Sequence, residues 1–296
     1  MISIVIPTRN RASWLNDCIQ HLLKQEYDNF EIVVVDSSTD EVTKTVISQK
    51  YPQIRYFFLP NGLNKRPESK NIGIKHAKGE IVAFIDDDSL VQDGWLKACA
   101  ESYTSDNIGA AGGLIIDKNV ENSEGYSSEA IGRLTYNGTR IGNFFKDPGR
   151  IIEVDHLRGC NMSFKKSALV KAGGFDINYT GSNVLEETDL CIKIKKLGYK
   201  ILFNPKMAVI HTTAPREIVM RKTYDFKRNF YIARNSTYFM IKNFDLTRTM
   251  SYIFTNNTGI ISFFKKPGLR LFTCIIASIF GKITGFAAGI KFKIIR

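Results

Sequence analysis

Apolar residues in the first 85 positions come in short runs separated by helical patterns. "ISIVI" (2–6) is a β-branched run followed by the turn-forming "PTRN", which predicts a buried strand. Leu15, Ile19, Leu22 and Leu23 then recur at helical spacing within 11–25. "EIVVVD" (31–36) reads as a second strand ending on an acid, "VTKTVISQK" as a short helix and "IRYFF" (54–58) as a third strand. A polar loop, "LPNGLNKRPES", leads to a helix around 68–78, and "IVAFI" (81–85) is the fourth strand. This alternation predicts a parallel sheet with helices on both faces. Strands that are continuously apolar fit a sheet covered on both sides. After residue 105 the rhythm changes. Strand-like pieces at 108–116, 151–155 and 160–164 flank a glycine-rich, poorly periodic stretch (117–150), expected to form long mobile loops over a substrate. A helix is expected over 182–200, with Leu185, Leu190, Ile192 and Ile194 as its apolar members and Gly198 as its stop. "ILFN" and "MAVIH" follow as two short strands.

In open sheets of this kind ligands bind beyond the carboxyl ends of the strands. Those ends carry Pro7 to Asn10, Asp36 with Ser37, and the triplet Asp86, Asp87, Asp88. Three adjacent carboxylates after a buried run can be a solvated turn or a helix cap. They can equally supply the oxygens a hard cation needs. Their place on the same rim as Asp36 favours the site.

Composition narrows the class. The chain of 296 residues allows one large domain or two ordinary ones, and 44% hydrophobic with 24% charged residues is the balance of a folded protein. The five cysteines, Cys18, Cys99, Cys160, Cys191 and Cys274, are scattered without CxxC spacing. Neither a zinc site nor a disulfide framework is indicated, and reduced thiols in a cytosolic compartment are expected. The opening "MISIVIPTRN" is too short an apolar stretch for a signal peptide and is broken by Pro7. The net charge of +12 is unevenly placed: residues 1–213 hold 26 Lys+Arg against 26 Asp+Glu, and residues 214–296 hold 15 against 3. Two regions with different partners are expected, with a boundary near 213/214.

Six segments, in order, resemble glycosyltransferase family 2: "SIVIPTRNR", "VVVDSSTD", "SKNIGIKHAKGEIVAFIDDDS", "GCNMSF", "EETDLCIKIKKLGYKI" and "VIHTT". The resemblance covers about residues 1–213. It implies the α/β GT-A fold, a Rossmann-like and mostly parallel sheet flanked by helices, and an inverting transfer from a nucleotide-sugar donor. It further implies a divalent cation, Mn²⁺ or Mg²⁺, bridging the donor phosphates. Asp86 and Asp88 would be the acids of a DxD motif, Asp88 as direct metal ligand and Asp86 towards ribose or a metal-bound water. Asp87 would point back into the scaffold. His211 stands where the family often has a metal-binding histidine, although a lone histidine ending a strand is usually structural. Asp36 would accept a hydrogen bond from the donor base, or else cap the following helix. Thr8, Arg9 and Asn10 belong to the loop that meets the nucleotide. Lys70 replaces the arginine of an "ARN" triplet, which keeps the charge but loses the bidentate fork. Gly159 and Asn161 would approach the donor sugar, and Trp95 would pack in a helix or stack on an acceptor. The general base is expected at Glu187, where the family usually has Asp, with Glu186 as its rival. Asp189 should point elsewhere.

The remaining stretch, 214–296, couples charge to apolar sequence. Residues 216–243 form a basic helical pattern in which Arg234 and Asn235 resemble an RN element that follows the catalytic domain in many members. Residues 269–290 are nearly all apolar and of membrane-spanning length. Lys282 at their middle would cost about 2.5–3.5 kcal/mol on insertion. Gly281, Gly285 and Gly289 recur at every fourth residue, as in close helix packing. A helix lying in or dipping into the interface at the cytoplasmic face is the first expectation, a true span the second and a buried core helix the third. The implied partners are a nucleotide-sugar donor, a glycan or lipid-linked acceptor and a membrane surface. A nucleic-acid polymer is disfavoured because the basic residues travel with apolar ones. A nucleotidyltransferase would show a glycine-rich loop after the first strand, and "PTRNR" has none. A non-catalytic binder would not need Asp36, the acidic triplet and Glu187 together.

Overall fold

The computed structural model describes residues 1–63, 65–116, 130–212, 214, 226–255 and 269–295, with the side chains of 269–274 and 295 outside the description. β1 (Ile2–Thr8), α1 (Ala12–Leu23), β2 (Phe30–Asp36), α2 (Val42–Lys50), β3 (Arg55–Phe58), α3 (Arg66–His76) and β4 (Ile81–Ile85) alternate as the apolar pattern demands. β5 (Ser89–Val91), α4 (Trp95–Glu101), β6 (Ile108–Ile116), a small hairpin of β7 (Arg133–Leu134) and β8 (Arg140–Ile141), β9 (Ile152–Glu153), β10 (Asn161–Lys165), α5 (Lys166–Lys171), α6 (Glu186–Lys196) and β11 (Lys200–His211) follow. α7 (Phe226–Asn243), α8 (Leu246–Thr255) and α9 (Leu269–Ile295) complete the chain.

One nine-stranded sheet runs β3-β2-β1-β4-β10-β6-β11-β5, with β9 on β11. It is parallel across β3-β2-β1-β4 and mixed beyond, where β10 lies antiparallel to both neighbours. The strand order reverses between β1 and β4, the position at which open α/β sheets leave a crevice. Ile4–Ile6, Val33–Val35 and Val82–Ile85 are buried throughout, as strands covered on both faces must be.

Three expectations change. "ILFN" and "MAVIH" are one strand, β11, whose register against β6 shifts between Asn204 and Val209, around Pro205. Proline lacks the ladder N–H and is tolerated at such an irregularity. A Cβ on Gly113 of β6 would meet the Met207 carbonyl at 2.1 Å, so the bulge can approach only a glycine. The helix expected over 182–200 is limited to α6, because Asn183 (φ 51°) and Leu185 (φ 73°) are left-handed before it and Gly198 (φ 88°) turns the chain after it. Within the glycine-rich 117–150, residues 117–129 lie outside the described residues and the remainder holds the β7–β8 hairpin. Cys18, Cys99, Cys160 and Cys191 are free and buried.

α7 and α9 lie against each other. A Cβ on Gly281 would strike the Phe230 carbonyl at 2.3 Å, one on Gly285 the Arg234 carbonyl at 2.2 Å, and one on Gly289 the Ile241 side chain at 2.7 Å. Contacts advance in the same direction along both helices, so they run parallel. The glycine repeat is therefore a helix–helix seam. The other face of α9 is exposed and apolar, with Ile283 60% and Ile294 77% accessible. The segment Ile275–Ile294 is long and apolar enough to cross a membrane. The start of the basic stretch, 216–225, lies outside the described residues.

Candidate active site

Pairing in the sheet assembles an acidic corner. In β1 and β2, Thr8 lies beside Asp36. β5 turns back from the acidic triplet and pairs with the end of β11, setting His211 opposite Ser89. That pairing brings residues 123 positions apart together: His211 Nε2 is 3.3 Å from Asp88 Oδ1. Asp86, Asp88 and His211 offer ligand atoms all within 4.8 Å of one another. Asp88 Oδ1 is buried and has no hydrogen-bond partner among the described residues, while Oδ2 accepts the Ala214 N–H at 2.9 Å. Two carboxylates and an imidazole, one oxygen still to be satisfied, fit Mn²⁺ or Mg²⁺. Burial works against the charge on Asp88, but His211, the Ala214 N–H and Arg11 hold its pKa below the ordinary carboxylate value.

The middle acid faces the scaffold. Asp87 accepts a hydrogen bond from Thr8 Oγ1 at 2.8 Å and pairs with Arg11 at 2.9 Å. Burial, only partly offset by Arg11 and Thr8, raises it to about 6. Arg11 also lies 3.5 Å from Asp88. The loop after β1 is tied to the loop after β2. Arg9 donates to the Ser37 carbonyl, the Asn10 N–H to Ser38 Oγ, and the Thr39 N–H to Asn10 Oδ1. Asn10 takes a left-handed φ of 51° to do this, and Pro7 sits half-buried before it. Asp36 is fully buried. Its Oδ1 accepts from the Ser38 N–H and hydroxyl and its Oδ2 from Tyr56. It is thus a turn-forming acid, already supplied with donors, and it does not cap α2.

Two residues expected at the donor, Lys70 and Asn161, have partners within the scaffold. Lys70 and Glu186 are each 1% exposed and form a 2.9 Å ion pair, so Lys70 spends its charge inside. Asn161 accepts from Trp95 Nε1 at 3.0 Å and donates to the carbonyls of Leu114 and Met207. That uses both N–H donors of its amide, and it fixes Trp95 in the core rather than on an acceptor. Gly159 lies beside the Lys70–Glu186 pair, with Lys70 Nζ 3.5 Å from where its Cβ would be.

The two adjacent glutamates of α6 part company. Burial outweighs Lys70 and raises Glu186 above the ordinary value. Glu187 faces a cleft of about 260 Å³ that His156, Arg158, Arg140 and His211 also line. Burial would raise Glu187 as well, but Arg140, 3.4 Å away, leads the charges that lower it. An ionised carboxylate therefore shares one cleft with the histidine of the metal corner. Asp189 turns away, as expected, and accepts from Tyr179, Lys242 and Asn243.

Sequence reading missed Arg11, Arg66, Arg140, His156 and Arg158. Desolvation disfavours the charge on Arg66, yet Asp86, Glu186, Glu187 and Asp88 around it raise its pKa. His156 is neutral, lowered to about 4 by burial and then by Arg140, and neither ring nitrogen has a hydrogen-bond partner among the described residues. The sequence signals for these were the end of "SIVIPTRNR" for Arg11, the basic "NKRPESK" loop for Arg66 and "HLRG" before the "GCNMSF" segment for His156 and Arg158, with none for Arg140.

A parallel half-sheet, a mixed half-sheet and a carboxylate–imidazole corner at the switch point define a GT-A protein. The chain belongs to glycosyl transferase family 2, whose model matches residues 3–171. A Haloferax volcanii glucosyl-dolichyl phosphate glucuronosyltransferase is 24% identical over 223 residues, 71% of this chain and 68% of that one. An uncharacterized glycosyltransferase of Rickettsia felis is 40% identical over 91 residues, and that stretch spans 30% of this chain but only 15% of the relative's length. Among solved structures, S. aureus TarS in complex with UDP-GlcNAc superposes with a TM-score of 0.62 at 15% identity, covering 100% of this chain and 92% of that one. The Pyrobaculum calidifontis mannosyltransferase PcManGT, in complex with GDP-Man and Mn²⁺, gives 0.55 at 17% identity, covering 97% and 73%.

Proposed function

We propose that the chain is a metal-dependent, inverting glycosyltransferase that moves a sugar from a nucleotide-sugar donor to a hydroxyl of a lipid-linked acceptor at a membrane surface. The observation that carries this reading is the single cleft shared by ionised Glu187 and His211 of the metal corner. The Haloferax relative is named a glucosyl-dolichyl phosphate glucuronosyltransferase, and the two solved neighbours are complexes with UDP-GlcNAc and with GDP-Man and Mn²⁺. In this reading residues 1–213 are the catalytic unit and residues 214–296 seat it on the membrane.

Asp88, Asp86 and His211 would hold the cation. A bound Mn²⁺ or Mg²⁺ would supply Lewis-acid neutralisation of the leaving diphosphate. The stapled loop Pro7–Asn10 and Asp36 form a firm edge for the nucleotide, and Arg66 and Arg158 offer cations towards the diphosphate. Glu187 takes the proton of the acceptor hydroxyl as its oxygen attacks the anomeric carbon. The bond from that carbon to the diphosphate breaks on the opposite side, and the nucleoside diphosphate leaves with the electron pair. Arg140 keeps Glu187 ionised before the attack. The sequence rival, Glu186, is disfavoured as base because it is buried against Lys70.

Glu187→Gln should bind donor as tightly as wild type and lose transfer by about 10²-fold or more, the range for removal of a general base. The assay pairs full-length protein and Mn²⁺ with a panel of nucleotide sugars and a prenyl-linked acceptor, and reads the anomeric configuration of the product. Near wild-type transfer by Glu187→Gln would move the base elsewhere. A product retaining the donor's configuration would end the single-displacement reading.

A further inference from the structure

A second cavity, of about 230 Å³, lies between the β7–β8 hairpin, α7, α8 and α9, and Arg140 and Lys282 are among its lining residues. Arg140 also lines the catalytic cleft, where its guanidinium is 3.4 Å from Glu187, so one residue borders both spaces. Lys282 reaches the cavity from α9, where its Nζ donates to the Ile253 carbonyl at 3.2 Å. No aspartate or glutamate is among the described lining residues, while Asn229, Ser236 and Ser278 add polar groups. Lys282 and Arg140, the latter shared with Glu187, together with hydroxyl and amide donors and no carboxylate among the described lining residues, make a chamber suited to an anion. Its volume is many times what one water molecule requires.

The position of Lys282 on its helix gives the direction of the chamber. With about 3.6 residues per turn, Lys282 falls on the strip of α9 between the Gly281–Gly285–Gly289 seam and the stripe of Ile279, Ile283, Phe286 and Ile290, and Ser278 lies one turn before it on the seam side. The seam is packed on α7, and all four residues of the stripe are exposed. The order in space is therefore catalytic cleft, cationic chamber, exposed apolar stripe. A lipid-linked acceptor has the same order: sugar hydroxyl, phosphate, prenyl chain.

We propose that this chamber, between Arg140 and Lys282, binds the phosphate or diphosphate of a prenyl-linked acceptor, with the prenyl chain leaving along the apolar stripe of α9. The proposal rests on the lipid-linked acceptor of the preceding reading and assigns it a site. It also gives a reason for a lysine in the middle of an apolar run.

The probe is farnesyl phosphate, titrated by calorimetry into detergent-solubilised full-length protein with a chelator present to silence the metal corner. Farnesol serves as the uncharged control. Wild type should bind farnesyl phosphate well above farnesol. Lys282→Met should weaken farnesyl phosphate by about tenfold or more, the effect of losing one charge-assisted hydrogen bond, and leave farnesol unchanged. Lys282→Arg should restore most of the affinity. Ser278→Asp, which places a carboxylate in the same chamber, should reproduce the loss, and it stands as the test if Lys282→Met does not fold. Equal farnesyl phosphate binding by wild type, Lys282→Met and Ser278→Asp overturns the site while leaving a lipid-linked acceptor in place. A separate arm follows Mn²⁺-dependent hydrolysis of nucleotide sugars by wild type. Hydrolysis without any preference for farnesyl phosphate over farnesol overturns the phosphate site and the acceptor class, and leaves donor chemistry standing.

Discussion

At the residue scale the acidic triplet divides its labour by direction. Successive residues leaving a strand point to opposite sides. Asp87 turns inward to Thr8 and Arg11, and Asp86 and Asp88 turn towards His211. Asp88 is also anchored: its backbone carbonyl accepts from the Thr212 N–H at 2.9 Å and the Thr212 hydroxyl at 2.8 Å, and its Oδ2 accepts from the Ala214 N–H. These bonds hold one oxygen in place and leave Oδ1 facing the imidazole. Asp88→Ala removes the carboxylate that faces His211. It should abolish the Mn²⁺-dependent part of nucleotide binding in calorimetry and leave any metal-independent part. An affinity that is the same in wild type and variant, with and without chelator, would remove Asp88 from the metal site.

At the scale of elements, α6 works in two directions. Glu187 faces the cleft from its first turn, and Asp189, fully buried two residues on, faces α7. Lys242 of α7 pairs with Asp189 at 2.8 Å and with Asp176, and Tyr179, Tyr238 and Asn243 complete the cluster. The helix carrying the proposed base is thus clamped by the helix that carries α9. Lys242→Met leaves buried Asp176 without an ion-pair partner among the described residues, while Asp189 keeps only Lys193 at 3.4 Å. It should destabilise the protein by about 3–5 kcal/mol in denaturant unfolding at neutral pH. A loss under 1 kcal/mol would mean that the cluster is wet and weak. The same clamp predicts a pH dependence. Burial would raise Asp176, but the charge and hydrogen bond of Lys242 overcome it and hold its pKa well below the ordinary carboxylate value. A depressed carboxylate contributes stability above its unfolded pKa, and that contribution fades as pH falls from about 4 towards the folded value. Wild type should therefore lose stability on acidification more steeply than Asp176→Asn. Parallel curves for the two proteins would remove Asp176 as a source of the effect.

At the scale of the whole molecule, charge and apolar surface coincide. Residues 214–296 hold 15 Lys+Arg against 3 Asp+Glu, and α9 exposes Ile279, Ile283, Phe286, Ile290 and Ile294 on one face. The opposite face is spent on α7, which is clamped to α6. A helix held along its length in this way suits an orientation in the membrane plane, apolar stripe inward to the lipid. Each basic residue near an anionic surface contributes about 1 kcal/mol, and the stripe adds a salt-insensitive part. Full-length protein should sediment with phosphatidylglycerol liposomes, and high salt should weaken the attachment without abolishing it. Ile283→Asp with Ile290→Asp should make the attachment fully salt-reversible. Complete release of wild type by salt alone would leave only a peripheral electrostatic contact. No sedimentation at all would assign the stripe to a partner chain.

Much of this molecule is written in local pattern. Continuous apolar runs mark β1, β2 and β4 because a strand covered on both faces has no polar side to show. The acids of the rim are visible because they follow those runs directly, and the seam glycines because a helix repeats about every four residues. Tertiary structure alone decided what those side chains do. Lys70 finds Glu186 116 positions away, Asn161 finds Trp95 66 away, and Lys242 finds Asp189 53 away. No window of sequence contains both members of such a pair. Glu186 and Glu187 are the same residue type at adjacent positions, separated only by the turn of one helical step, which puts one against Lys70 and the other in the cleft. Arg140 carries no motif around it, and it and His156 reach the cleft because the β7–β8 hairpin and the segment before β10 fold over it. Sequence determines which residues can be buried or charged. The pairing of distant segments determines which charges meet, because electrostatic and hydrogen-bond partners are chosen by distance in space.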